Sequence, residues 1–278
     1  MNVNLGSRTC LVGASLAHNQ HTEVSLQIGI VEMSLKIPRS FSMLFMLAMV
    51  LLASGTAAAS AQEVIHLART DNEPLIDATF LIVHEAYRRL GMDAVEDNVP
   101  GARSVQELND GKVFGDVMHF KGLENSYPNV VRVPVAVTYF EAVAFTDGRD
   151  LHVTDWASAR GYRVCIRRGI KAIEVATTGM KNVEVVNQYE SIFAMLKAGH
   201  CDIAILPSET WLEVRRLNIT GLRSLEPPLQ IWPLYHYVNK AHADIVPALT
   251  HVLLEMQKSG ELARKQADFN RLIEQAKQ

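Results

Sequence analysis

Leu108-Asn109-Asp110-Gly111 leads to Asp116-Val117-Met118, and Leu196-Lys197-Ala198-Gly199 leads to Asp202-Ile203-Ala204. Both stretches spell the end of a helix, a glycine stop, an aspartate and a strand. Each sits inside a run of alternating β-rich and helical patterns, which argues for α/β units and largely parallel sheets. In the first run, strands are expected at 64–68, 92–95 and 116–120, with a helix over 78–90 stopped by Gly91. Ser104 and Glu107 read as a capping box opening a second helix. In the second run, strands are expected at 162–166, 183–186 and 202–206, with helices over 171–178, 189–198 and 208–217. Two longer β-rich stretches, 135–145 and 231–238, read as extended crossings between the runs, and 243–257 reads as a further helix. Two α/β lobes joined by two extended crossings describe a hinge, with ligands in the cleft at the strand carboxyl ends.

Composition narrows the function. Among 278 residues, 27 Lys and Arg face 30 Asp and Glu, a formal net charge of −3 that leaves no basic excess for a nucleic-acid partner. Three cysteines (Cys10, Cys165, Cys201) build neither a disulfide scaffold nor a four-thiolate zinc site. Whether Cys165 and Cys201 bond is left open by the sequence, and the strand register expected there, with free buried cysteines being common, weighs against it. The histidines show no close metal-ligand spacing, and no Gly-rich phosphate loop or nucleophile motif occurs, so no metal, cofactor or enzyme activity is expected.

From Met33 the chain reads as an export signal. Lys36 and Arg39 form a positive flank, 43–53 an apolar run, and Ala59-Ser60-Ala61 an A-x-A cleavage site. Cleavage is expected after Ala61, placing the mature protein in the periplasm, where a disulfide is chemically possible. The apolar run is shorter than the ~20 residues of a membrane span. Residues 1–32 precede the positive flank, where a signal has nothing, and are read as an upstream extension ahead of a start at Met33.

Three segments carry a family resemblance: Arg163-Val164-Cys165-Ile166-Arg167-Arg168-Gly169, then 195–205, then Tyr235-His236-Tyr237-Val238-Asn239-Lys240 with Leu249, Leu253, Met256 and Gly260 downstream. In these the chain resembles periplasmic solute-binding proteins of family 3, the polar amino-acid type, over nearly all of 63–278. The resemblance implies an α/β, two-lobed type II periplasmic-binding-protein fold, with two doubly wound sheets joined by two hinge strands. Lobe 1 would comprise 63–139 plus 241–278, lobe 2 147–233, and the hinge strands 140–146 and 234–240. It also implies a monomer that hands a small-molecule solute to an ABC-type membrane permease. A sensing module for a membrane receptor is the first alternative, and a cyclohexadienyl-dehydratase-like lyase the second. The segment where such binders carry a carboxylate-pairing arginine reads Gly122-Leu123-Glu124-Asn125-Ser126, with Asn125 in its place, so the amino-acid label does not transfer.

The candidate ligand contacts follow from strand ends. Arg69, Asp71 and Glu73 follow the first strand. Arg167 and Lys171, with Arg168, flank Gly169 at a helix start, where backbone N–H groups and the helix dipole favour an anion. His119 ends a strand, Tyr139 lies in a crossing, and Ser208 and Glu209 follow the strand of the second lobe. The expected ligand is a small polar, anionic solute.

Overall fold

The computed structural model describes residues 63–69 and 74–278, so the upstream extension (1–32), the export signal (33–61), Asp71 and Glu73 lie outside the described residues. In the first half, β1 (Glu63–Arg69), β2 (Met92–Asn98) and β3 (Gly115–Phe120) alternate with α1 (Pro74–Arg89) and α2 (Gly101–Asn109). A 3₁₀ turn (Leu123–Asn125) leads into β4 (Val130–Thr146). The second half holds α3 (Trp156–Ala159), β5 (Val164–Arg167), α4 (Lys171–Ala176), β6 (Val183–Val186), α5 (Tyr189–Lys197), β7 (Ile203–Pro207) and α6 (Thr210–Arg216). The chain returns through β8 (Arg223–Asn239), a 3₁₀ stretch (Lys240–Ile245), α7 (Val246–Lys258) and α8 (Glu261–Ala276). No helix among the described residues is long and apolar enough to cross a membrane.

The helices form where apolar spacing and end chemistry agree. α1 opens on Pro74, whose fixed φ suits a first helical position, and buries Ile76, Thr79, Val83 and Tyr87 along one stripe. It starts four residues before the expected 78. Gly91, at φ +80°, ends the turn that follows α1. Ser104 is not a cap. α2 begins after Pro100, one turn earlier than expected, and the buried Ser104 hydroxyl donates to the Gly101 carbonyl at 3.0 Å.

The strands lie in one sheet, ordered β2-β1-β3-β8-β4-β7-β5-β6. β1 runs parallel to β2 and β3, and β5 parallel to β6 and β7, while β4 and β8 run antiparallel to each other. The two sheets expected from the sequence are therefore the two ends of one. The crossings are longer than their apolar stretches suggested, 17 residues each. Pro134 in β4 and Pro227-Pro228 in β8 obscured their outer parts, because proline donates nothing to a ladder and sits at edges and bulges. Pro134 falls between Arg132 and Ala136, where the β4–β8 register shifts. The apolar cores follow the sheet. One, around Ile65, Tyr87, Val135 and Leu253, lies under α1 and α7, and a smaller one, around Leu108 and Tyr237, lies under α2. The largest joins the second half to Leu75, Phe140 and Leu234, and to Phe269 and Ile273 of α8.

Cys165 and Cys201 are disulfide-bonded, with Cα atoms 5.9 Å apart, which corrects the expectation that they stay apart. The amides of Asp202 and Ile203 both donate to the Arg163 carbonyl, folding the turn before β7 back against β5 and carrying Cys201 beside Cys165. The bridge spans a sequence separation of 36. A loop of that length makes the bridge worth about 4 kcal/mol in the chain-entropy account. Residues 63–278 hold only Cys165 and Cys201, so a protein of this span, denatured without reduction, is expected to show no free thiol, and reduction to lower its urea midpoint. Two free thiols before reduction would disprove the bond.

Asp116 gives a pH signature. It is buried on β3, where one carboxylate oxygen accepts from the Met118 amide at 3.2 Å and the other has no hydrogen-bond partner among the described residues. Burial pushes its pKa up to about 7. The unfolded carboxyl ionises near 3.9, so folding loses stability as pH rises from about 4 to about 7, by up to roughly 4 kcal/mol. His236 acts in the opposite sense. Its ring lies 2.8 Å from the Tyr87 hydroxyl, and burial lowers its pKa to about 4, so its contribution falls away as pH drops below about 6.5. Asp116→Asn is expected to gain stability over the natural protein at pH 8 but not at pH 4, read by urea unfolding. An equal difference at both pH values would rule out a titrating Asp116.

Candidate functional site

The register of the long strands brings the two sets of parallel strand ends together. Phe120, the last residue of β3, lies level with Leu234, and Pro207, the last of β7, lies level with Ala142, which pairs with Gln230. Leu234 and Gln230 are about 13 Å apart at ~3.3 Å per residue. The carboxyl ends of β1–β3 and of β5–β7 thus point from opposite directions at one short stretch. There Tyr139 pairs with Pro233, Phe140 with Trp232 and Glu141 with Ile231. Carboxyl ends of parallel strands are where open α/β sheets bind ligands.

Of the expected site residues, Arg69 and His119 lie at the ends of β1 and β3, Arg167 ends β5, and Ser208 and Glu209 follow β7, while Asp71 and Glu73 are outside the described residues. Arg69 closes β1, and its guanidinium donates to both Glu96 oxygens at 3.0 Å and to Asp77 at 2.5 Å. Burial works against its charge, but these two carboxylates outweigh it and raise its pKa. His119, next to last in β3, accepts from the Phe120 amide at 3.2 Å, and burial lowers its pKa. Arg167 ends β5 with its guanidinium 4.5 Å from the centre of the Tyr189 ring. Lys171 opens α4 and pairs with Glu174 at 2.6 Å in the open. Glu174 also accepts from the Gly169 amide at 2.7 Å, so the N–H that the sequence offered to an anion is answered within the same turn. Ser208 and Glu209 lie between β7 and α6, and the Ser208 amide donates to the Glu141 carbonyl at 2.9 Å. Tyr139 is exposed at the centre of β4.

An aromatic cluster that the sequence pattern does not reveal lies at this centre. The Phe120 ring lies 5.6 Å from Phe140 and 6.2 Å from Trp232, Phe140 lies 5.6 Å from Trp232, and Trp232 lies 6.1 Å from Trp156 of α3. The Trp156 indole N–H donates to Gln230 at 2.8 Å. Strand alternation places Tyr139 and Glu141 on the opposite face from Phe140. Identifying this set from sequence requires knowing that Phe140 pairs with Trp232, and neither crossing reveals its partner.

The 122–126 segment, with Asn125 at the position where the resemblance implies an arginine, is held by Glu124. Its carboxylate accepts from the Tyr237 hydroxyl at 2.7 Å, from the Gly122 amide at 3.1 Å and from Arg132 at 3.2 Å. Burial opposes its charge, yet these hydrogen bonds bring its pKa down to about 2. An arginine does stand beside the segment, supplied by β4, and Arg132 also lies 4.6 Å over the Tyr235 ring.

No family model matches the sequence. An uncharacterized protein of Shewanella oneidensis is 27% identical over 192 residues, covering 66% of this chain and 72% of that protein. Among solved structures, a histidine kinase sensor domain with similarity to periplasmic binding proteins aligns with a TM-score of 0.58 at 17% identity, over 75% of this chain and 96% of its own. The substrate-binding protein of an amino acid ABC transporter aligns with a TM-score of 0.55 at 15% identity, over 74% of this chain and 98% of its own. At these identities the likeness establishes architecture, and with the sheet order and strand polarity above it shows that the chain has the type II periplasmic-binding fold.

Proposed function

We propose that this chain is an exported solute-binding protein that closes two lobes over a small polar, anionic solute in the periplasm and delivers it to an ABC-type permease. One observation carries the reading: both sets of parallel strand ends aim at the middle of a single two-strand ladder. A ligand held there contacts both halves and stabilises their closed arrangement. In this reading lobe 1 is 63–139 with 241–278, lobe 2 is 147–233, and the hinge strands are 140–146 and 234–240. The residues proposed to line the cleft are Arg69, Asp71, Glu73, His119, Arg167, Lys171 and Glu209, whereas Tyr139 and Ser208, expected there from the sequence, belong to the face of the ladder opposite Phe140. The anionic preference rests on Arg167, Arg168 and Lys171 at the second-half strand ends, where Glu174 is the carboxylate bound to Lys171. The likeness to a histidine kinase sensor domain favours one second reading, in which the closed form signals to a membrane receptor.

A thermal-shift panel of amino acids, dicarboxylates, aromatic acids, inorganic anions and sugars tests the reading. A solute at a hundred times its Kd adds about 2.7 kcal/mol, which for a chain of this size raises Tm by roughly 5–10 °C. The expected result is one class of acidic hits whose shift disappears in Arg167→Ala. No shift from any compound, after unfolding and refolding to strip bound ligand, would overturn solute binding. Loss of uptake of the hit solute in a strain lacking this chain supports delivery to a permease. Intact uptake with a lost transcriptional response supports the receptor.

A further inference from the structure

A second pocket lies on the face of the ladder opposite the aromatic cluster. It has a volume of about 300 Å³ and is built from the later part of β4, the first half of β8, the turn after β7, Trp211 of α6 and the last turns of α8. Its apolar wall is Trp211, Ile231 and Ile273, with Ile231 half exposed into solvent. Its charged groups are Glu141, Glu226 and Glu274 against Lys277 alone. Lys277 lies 2.7 Å from Glu274 and 3.9 Å from Glu226, so its single charge is already shared between two carboxylates. Glu141 sits deeper. Burial raises its pKa and the nearby Glu226 raises it further, against a hydrogen bond with Ser208 and the weaker pull of the Lys277 charge. A carboxylate destabilised by burial and by a like charge gains most from a cation that can enter with it.

We infer that this pocket is a binding site for a small organic ammonium ion, its charged head on Glu141 and its hydrocarbon body against Trp211, Ile231 and Ile273. The chemistry is opposite in sign to the solute proposed for the cleft, and the site stands whether or not that proposal holds. A free carboxylate is refused here by three acidic side chains. A neutral alcohol of the same shape would bury apolar surface but leave Glu141 without its counter-charge.

The indole N–H signals of the three tryptophans separate this pocket from the cleft. The Trp211 indole donates to Ser224 at 3.2 Å, inside the pocket lining, whereas Trp156 and Trp232 belong to the aromatic cluster. The full chain, ¹⁵N-labelled at tryptophan and assigned with single Trp→Phe variants, is titrated with phenethylammonium, phenethyl alcohol and 3-phenylpropionate. The expected outcome is a saturable shift of the Trp211 signal with phenethylammonium alone. Glu141→Gln is expected to weaken it about tenfold, as loss of a charge-assisted hydrogen bond does. Lys277→Met, which removes the competing cation at the rim, is expected to tighten it severalfold. The inference is overturned by an unmoved Trp211 signal, by an equal response to the alcohol, or by a response confined to Trp156 and Trp232. Unchanged affinity in Lys277→Met would also count against it, and that variant serves where Glu141→Gln does not fold.

Discussion

The hydrogen-bonded ladder between β4 and β8 is the member on which every other strand depends. β3 attaches to the outer edge of β8 and β7 to the outer edge of β4, so each half of the sheet hangs from a different strand of the same pair. Because the two attachments lie at opposite ends of the ladder, the strand ends of both halves are aimed at its middle. The ladder is interrupted between Ala136 and Thr138 and again between Ala142 and Ala144, on either side of that middle. A register shift removes ladder bonds and increases local twist. The stretch between the strand ends thus has a register shift on each side of it, where bending breaks fewer hydrogen bonds than in a regular ladder.

Charge at the strand ends is largely neutralised within the protein. Arg69 is shared by Asp77 and Glu96, Arg132 by Glu124, Arg163 by Asp202, and Lys171 by Glu174. An inventory of cations read along the sequence therefore overstates the positive potential met by a solute. At the exposed Lys171 the loss is small, since such pairs contribute about 0–1 kcal/mol and exchange readily for a better anion. At Arg69 it is large, because its guanidinium is nearly buried against both carboxylates.

Most of the element order was legible in the sequence, though neither α3 nor α8 was expected there, and the environments of the residues were not legible. The twice-written helix–glycine–aspartate–strand pattern falls where expected, and Gly111 and Gly199 both adopt left-handed φ, +73° and +68°. The two aspartates that follow behave oppositely. Asp116 is buried inside β3 and its pKa rises to about 7, whereas Asp202 precedes β7, receives the Arg163 side chain and amide, and falls to about 2. Period and turn residues mark where a strand begins, but burial and counter-charge come from strands distant in sequence. The same limit hid the Cys165–Cys201 bond, the Phe140–Trp232 pair and the outer reaches of β8, each of which depends on a partner strand. Asp71, Glu73 and the export signal lie outside the described residues and stand on the sequence alone.

α8 decides how the halves can move, because it is fastened at both ends. Near its start, Glu261 meets Arg89 of α1 at 2.7 Å, and near its end the Gln275 carbonyl accepts from Arg215 of α6 at 3.3 Å. Between them Gln266 accepts from Thr138 at 2.7 Å. Rotation of one half against the other must release one fastening. The first is a partly exposed ion pair, worth about 0–1 kcal/mol, beside the partly buried Leu262 on the core under α1 and α7. The second is backed by Phe269, Ile273 and Ala276 in the largest core, where a fully buried Ile or Phe contributes about 1.5–3 kcal/mol. The later turns of α8 are anchored in the core of the second half, while its first turn and α7 rest on the core of the first. Segment 241–278, proposed as part of lobe 1, is thus fastened to both halves, and the later turns of α8 that wall the pocket behind Glu141 are fastened to the second.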